Sequence, residues 1–216
     1  MAQPVQYQDL ELSDLHLDAL REICNIGMGN AATALNRMIG KTIQLSVPEV
    51  SLVPLTEIPE LIGGLDQKVA GIFLQIRGEI QGNILLIFPY PSVQALCRLL
   101  TGVAPGDEPF LSEMHSSVIR EVGNILASSF LAALERLLNR SLFPSVPGVA
   151  FDMAGAIIQS VLTRVGEELD WTLVVRADFF GREEKVRGHF YLLPDPKSLR
   201  LILQAAKVLA VEEPPV

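Results

Sequence analysis

The sequence predicts an α+β domain, an α/β sandwich in which long helices pack on a largely antiparallel sheet, built from two copies of one unit about a pseudo-two-fold axis. Three observations carry that expectation. Two long segments place apolar residues at helical spacing. Each is followed by short β-rich runs bounded by Gly and Pro. The second series repeats the first at a constant displacement of 99 residues.

The first helix is expected over residues 14–39, where Leu20, Ile23, Cys24, Gly27, Ala31, Ala34, Leu35 and Met38 cluster on one side and Ser13 is placed as the N-cap. After Gly40 the pattern turns extended, predicting strands at 42–47, 49–54, 69–77 and 81–88, with a turn near Gly78 and a helical turn at 56–62. Pro91 opens a helix that Gly102 ends. Residues 103–110, rich in Pro, Gly and acid, read as a linker between repeats at about 12–102 and 111–210.

The second half follows the same plan. A helix over 112–139 carries Ile119, Val122, Gly123, Leu126, Phe130, Ala133, Leu134 and Leu137 as its apolar stripe. A strand at 142–146, a helix at 152–165, strands at 171–180 and 186–193 and a closing helix at 196–210 complete it. Aligned on their long helices, Asp18 meets Ser117, Glu22 meets Glu121, Asn25 meets Asn124 and Pro48 meets Pro147. Neutral positions such as Ile26 with Ile125 and Leu35 with Leu134 agree too, so duplication within one domain is the economical reading.

Bulk properties narrow the function. With 216 residues, 49% hydrophobic and 19% charged, the chain can bury a full core. The net charge of −8 and a basic stretch (182–187) broken by Glu183 and Glu184 argue against nucleic acid and for a protein partner. No apolar run reaches the roughly 20 residues of a membrane span, the first residues lack the features of a signal peptide, and two cysteines are too few for a disulfide framework. A cytoplasmic setting is the expectation.

On a helix, positions i, i+4 and i+7 share one narrow face. Asp18, Glu22 and Asn25 therefore form one stripe, and Ser117, Glu121 and Asn124 another, each nearly opposite the apolar side. Gly29 and Ser128 extend the stripes with little bulk. Spaced three residues apart, a carboxylate and a carboxamide lie roughly 5–6 Å apart at Cβ, close enough to act on one target. The carboxamide donates and accepts together, so it can hold a water in line with a phosphorus, and the carboxylate can pair with a partner's lysine.

A single Glu-x-x-Asn is usually a solvated face; its recurrence at identical spacing to a proline is what a solvent-facing stripe has no need to preserve. Asp18 and Ser117 compete with local capping roles, and Pro48 and Pro147 read as structural, interrupting edge strands. Cys24 and Cys97 read as small core residues. His16, His115 and His189 lack metal-ligand spacing and suit surface or capping positions, so no metal site is expected. Gly27-Met28-Gly29 follows no strand and suits close helix packing better than phosphate binding. Trp171 reads as core.

The pattern Asp/Ser-x3-Glu-x2-Asn-x22-Pro, present twice, resembles the signature of the CheC/CheX/FliY phosphatase family. The resemblance runs over about residues 10–205. It implies that Asn25 and Asn124 position a water on the phosphoaspartate of a CheY-type response regulator and that Glu22 and Glu121 engage the regulator's lysine. Mg2+ would be held by the regulator, not by this chain. It also implies a receptor deamidase, CheD, docking on residues 152–165, although that helix reads equally well as a cover for the sheet. A non-catalytic adaptor gripping the regulator or the deamidase is the alternative.

Overall fold

The computed structural model describes residues 14–40, 44–54, 57–106, 111–165, 171–180 and 185–212. Its elements are α1 (Asp14–Ile39), β1 (Gln44–Pro54), α2 (Ile58–Leu61), β2 (Lys68–Gly78), β3 (Gly82–Pro89) and α3 (Tyr90–Thr101), then α4 (Glu113–Leu138), β4 (Leu142–Pro144), β5 (Gly148–Met153), α5 (Ala154–Val165), β6 (Trp171–Phe180), β7 (Lys185–Pro194) and α6 (Pro196–Glu212). The fold is the mixed helix and antiparallel sheet that the sequence predicts. The helix start at Ser13 and the side chain of Trp171 lie outside what is described.

One seven-stranded sheet forms the spine, in the order β1-β6-β7-β3-β2-β4, with β5 lying beside β4 along the outer edge of β2. All six pairings are antiparallel. Exchanging β1 for β4 and β5, β2 for β6 and β3 for β7 returns the same order read backwards. Such an order is the arrangement two copies would give; their common origin is an inference from the sequence repeat.

The halves also clasp each other. The N–H of Gln81, in the first hairpin, donates to Ser198 Oγ at the start of α6 (2.9 Å), and the N–H of Arg187, in the second, donates to Ser92 Oγ at the start of α3 (3.0 Å). Both serines are buried, so each helix start satisfies a backbone donor in the other half.

Alternation along β2 sorts the two faces. Ala70, Ile72, Leu74 and Ile76 point to the α1/α4 layer and are buried, while Gly71, Phe73, Gln75 and Arg77 face the α5 side. Close packing on the first side depends on missing side chains. A Cβ on Gly123 of α4 would sit 2.7 Å from Ile72 Cγ2, and one on Gly27 of α1 would sit 3.0 Å from the Phe130 Cα of α4. Phe130 continues the core onto Phe190 of β7, with ring centroids 4.7 Å apart.

Two expectations change. Residues 42–47 and 49–54 do not form two strands: β1 runs through Pro48, absorbing it in a register shift between Ser46 and Glu49 against β6. The second half does divide, at Pro147, giving β4 and the unforeseen β5; the chain after Pro147 stays extended against β2, and the helix expected from 152 begins at Ala154. By length and composition α4 could cross a membrane, but half of that stretch is buried inside the fold, as in a core helix.

Candidate functional site

The long helices owe their orientation to their apolar sides. On α1, Leu20, Ile23, Cys24, Gly27, Met28, Ala31 and Leu35 are buried; on α4, Ile119, Val122, Gly123, Leu126, Phe130 and Leu134 are. With those sides fixed, helical geometry turns the residues between them outward. Asp18, Glu22, Asn25 and Gly29 are exposed on α1, and Ser117 and Glu121 are exposed on α4. Asn124 and Ser128 are half-buried. The two stripes share a pattern but not an environment.

Caps hold α4 in place. Ser112 accepts from the His115 N–H at its start, and Asn139 ends it in the left-handed conformation (φ 49°) with its N–H on the Glu135 carbonyl. His115 is a capping residue as expected, its Nδ1 lying 3.0 Å from Ser112 Oγ; it is buried, however, because the ring turns under the helix start.

Around the first stripe, Asp18 forms an exposed ion pair with Arg21 at 2.9 Å, one turn before Glu22 and Asn25, which commits the carboxylate locally. Exposed pairs of this kind stabilise by little, about 0–1 kcal/mol. A Cβ on Gly29 would meet nothing within 4 Å, so the surface beyond Asn25 is open. Ile26, which the sequence offered only as a neutral match to Ile125, is 45% exposed next to Asn25. A single exposed apolar side chain is ordinary on a protein surface, and helical spacing sets it outside the apolar stripe.

Pro48 lies in β1 at the register shift, and Pro147 lies between β4 and β5; both fall at the outer strands of the sheet, away from the stripes in chain position. Cys24 and Cys97 are buried free thiols, pushed up to about 12 and about 11 by loss of solvent. At those values neither is a nucleophile at neutral pH. Helix α5 buries Ala154, Ile157, Ile158 and Val161 against β2 and β5, and exposes Ala156, Gln159, Ser160, Thr163 and Arg164. Its apolar side therefore serves the sheet.

The arrangement of helices on this sheet has solved counterparts. Thermotoga maritima FliY superposes with a TM-score of 0.73 over 92% of this chain and 99% of that one at 20% identity, which shows that the two share a fold. In sequence, the Bacillus subtilis (strain 168) protein named CheY-P phosphatase CheC is 34% identical over 198 residues, 90% of this chain and 95% of the relative. The family described as CheC-like matches at residues 15–52 and again at 114–150, the segments that contain the two stripes. The chain belongs to the CheC-like family. A flagellar motor switch phosphatase, FliY of the same Bacillus, is 25% identical over 140 residues, 64% of this chain and 36% of that protein.

Proposed function

We propose that this protein is a phosphatase that removes the phosphoryl group from the aspartyl-phosphate of a CheY-type response regulator. The observation that carries the reading is the pair of Glu–Asn stripes, Glu22 with Asn25 exposed on α1 and Glu121 exposed beside the half-buried Asn124 on α4, in a CheC-like chain. The names of two relatives, a CheY-P phosphatase and a flagellar switch phosphatase, support the reaction class.

In this reading the regulator brings its own Mg2+ and lysine, and the present chain inserts a carboxamide. Asn25 or Asn124 accepts from and donates to a water held in line with the phosphorus. The water oxygen bonds to phosphorus, the bond to the aspartyl carboxylate breaks, the carboxylate leaves with its electron pair, and the water's proton ends on inorganic phosphate. Glu22 or Glu121 pairs with the regulator's lysine and fixes the docking register. Asp18, Ser117, Pro48 and Pro147 support the helices and edge strands. A receptor deamidase would meet the exposed residues of α5, Ala156, Gln159, Ser160, Thr163 and Arg164.

Phosphate loss from a phosphorylated CheY-type receiver, followed with and without the protein, tests the proposal. Acceleration that disappears in the Asn25→Ala, Asn124→Ala double variant, with receiver binding retained, is the expected result. Acceleration undiminished in the double variant would overturn the mechanism, and binding without acceleration by the unmutated protein would make it an adaptor.

A further inference from the structure

On the face of the sheet opposite α1 and α4, a cleft of about 510 Å³ opens between β2, the β4–β5 edge and α5. Its floor is apolar, formed by Phe73, Leu85, Val149, Ile157 and Val161. Two arginines, Arg77 of β2 and Arg164 of α5, stand at its walls. Arg164 lies over the Phe73 ring, 5.7 Å from the centroid, and Arg77 reaches only Gln75 Oε1 at 3.4 Å. Among the described residues neither has a carboxylate partner and no Asp or Glu lines the cleft. An adjoining cleft shares Gln75 and Arg77 but carries Asp195 and lacks Arg164.

The cleft is pre-formed. Gln75 donates its N–H to Ser145 Oγ (2.9 Å) and accepts the Ser145 N–H on its carbonyl (2.8 Å), which holds the segment between β4 and β5 against β2 as a wall. On the opposite wall, Ile157 occupies the space that a side chain at Gly71 would fill. Val146, 87% exposed, adds an apolar lip. A volume of this order, with an apolar floor and two arginines in its lining, is the chemistry of a small-ligand site. Planar guanidiniums take carboxylates and phosphates in paired hydrogen bonds.

We propose that this cleft binds a small anionic amphiphile, a carboxylate, sulfonate or phosphate on an apolar body, independently of the Glu–Asn stripes. The test uses the full chain and 1-anilinonaphthalene-8-sulfonate as the probe, with its uncharged analogue N-phenyl-1-naphthylamine as control. Saturable fluorescence with the anionic dye is expected, weakened about tenfold for each arginine replaced in Arg77→Gln and Arg164→Gln. The neutral dye should bind at least about tenfold more weakly than the anion. Ser160→Trp, which puts an indole into the cleft from an exposed position on α5, should abolish binding while circular dichroism stays native. Affinity unchanged in the double arginine variant, equal binding of both dyes, unimpaired binding by Ser160→Trp, or the absence of saturable binding would each overturn the proposal. A misfolded variant is recognised by dye fluorescence that rises without saturating as near-ultraviolet dichroism is lost.

Discussion

Asn25 and Asn124 have no proton to lose near neutral pH, so whatever they do for a reaction they do by geometry. Displacing a positioned water by about 1 Å costs on the order of 100-fold in rate, and that is the loss expected for the double alanine variant in the dephosphorylation assay. Because Asn25 is exposed, its removal should leave stability within about 0.5 kcal/mol. Tyr191 offers the converse case. Its hydroxyl is buried without a hydrogen-bond partner among the described residues, and burial holds its pKa well above the usual phenol range. An unsatisfied buried hydroxyl costs about 1–3 kcal/mol. Tyr191→Phe is therefore expected to raise the urea midpoint by the equivalent of about 1 kcal/mol with an unchanged slope; a fall in the midpoint would show that the hydroxyl has a bonded role.

Two glycines on one helix, two residues apart, should respond in opposite directions to the same substitution. Gly27 faces the Phe130 backbone of α4 at a distance that leaves a methyl no room, whereas Gly29 faces open space. Gly27→Ala should lower the melting temperature through overpacking of about 1–3 kcal/mol, partly offset by helix propensity. Gly29→Ala should raise it through propensity of up to about 1 kcal/mol. Calorimetry of the two variants checks both signs. Elements of this kind were readable in the sequence: α1 spans Asp14–Ile39, as its apolar period predicts, and α4 ends at a left-handed Asn139. Strand β5 was not, because Gly148–Met153 has neither a clean period nor turn residues at its end; it becomes a strand by pairing with β2, which no local pattern encodes. The Glu–Asn stripes were legible because a helix converts spacing directly into a shared face. The unequal exposure of Asn25 and Asn124 was not, since it depends on how the rest of the fold packs around each helix, which spacing along one helix does not encode.

Among the described residues the molecule buries three groups that ionise in alkali, Cys24, Cys97 and Tyr191. Each has a folded pKa above its unfolded value, from 9.0 to about 12 and about 11 for the thiols, through desolvation. The unfolded chain therefore releases protons first. Their contribution is fully present below about pH 9 and is lost as pH rises towards the folded values, with a slope of up to about 1.4 kcal/mol per pH unit and group. Urea unfolding at pH 8 and pH 10.5 should show the fall, and a flat profile would contradict the burial of these groups. The sheet order carries a different implication. The first strand of each half pairs with a strand of the other half, β1 with β6 and β4 and β5 with β2, and the reciprocal serine bonds of α3 and α6 cross in the same sense. A single half thus has no outer strand of its own and leaves a sheet edge unpaired. Cut between residues 106 and 111, the chain should behave as a split protein: two fragments, each unfolded alone, that recover the native dichroism on mixing at a rate first order in each piece.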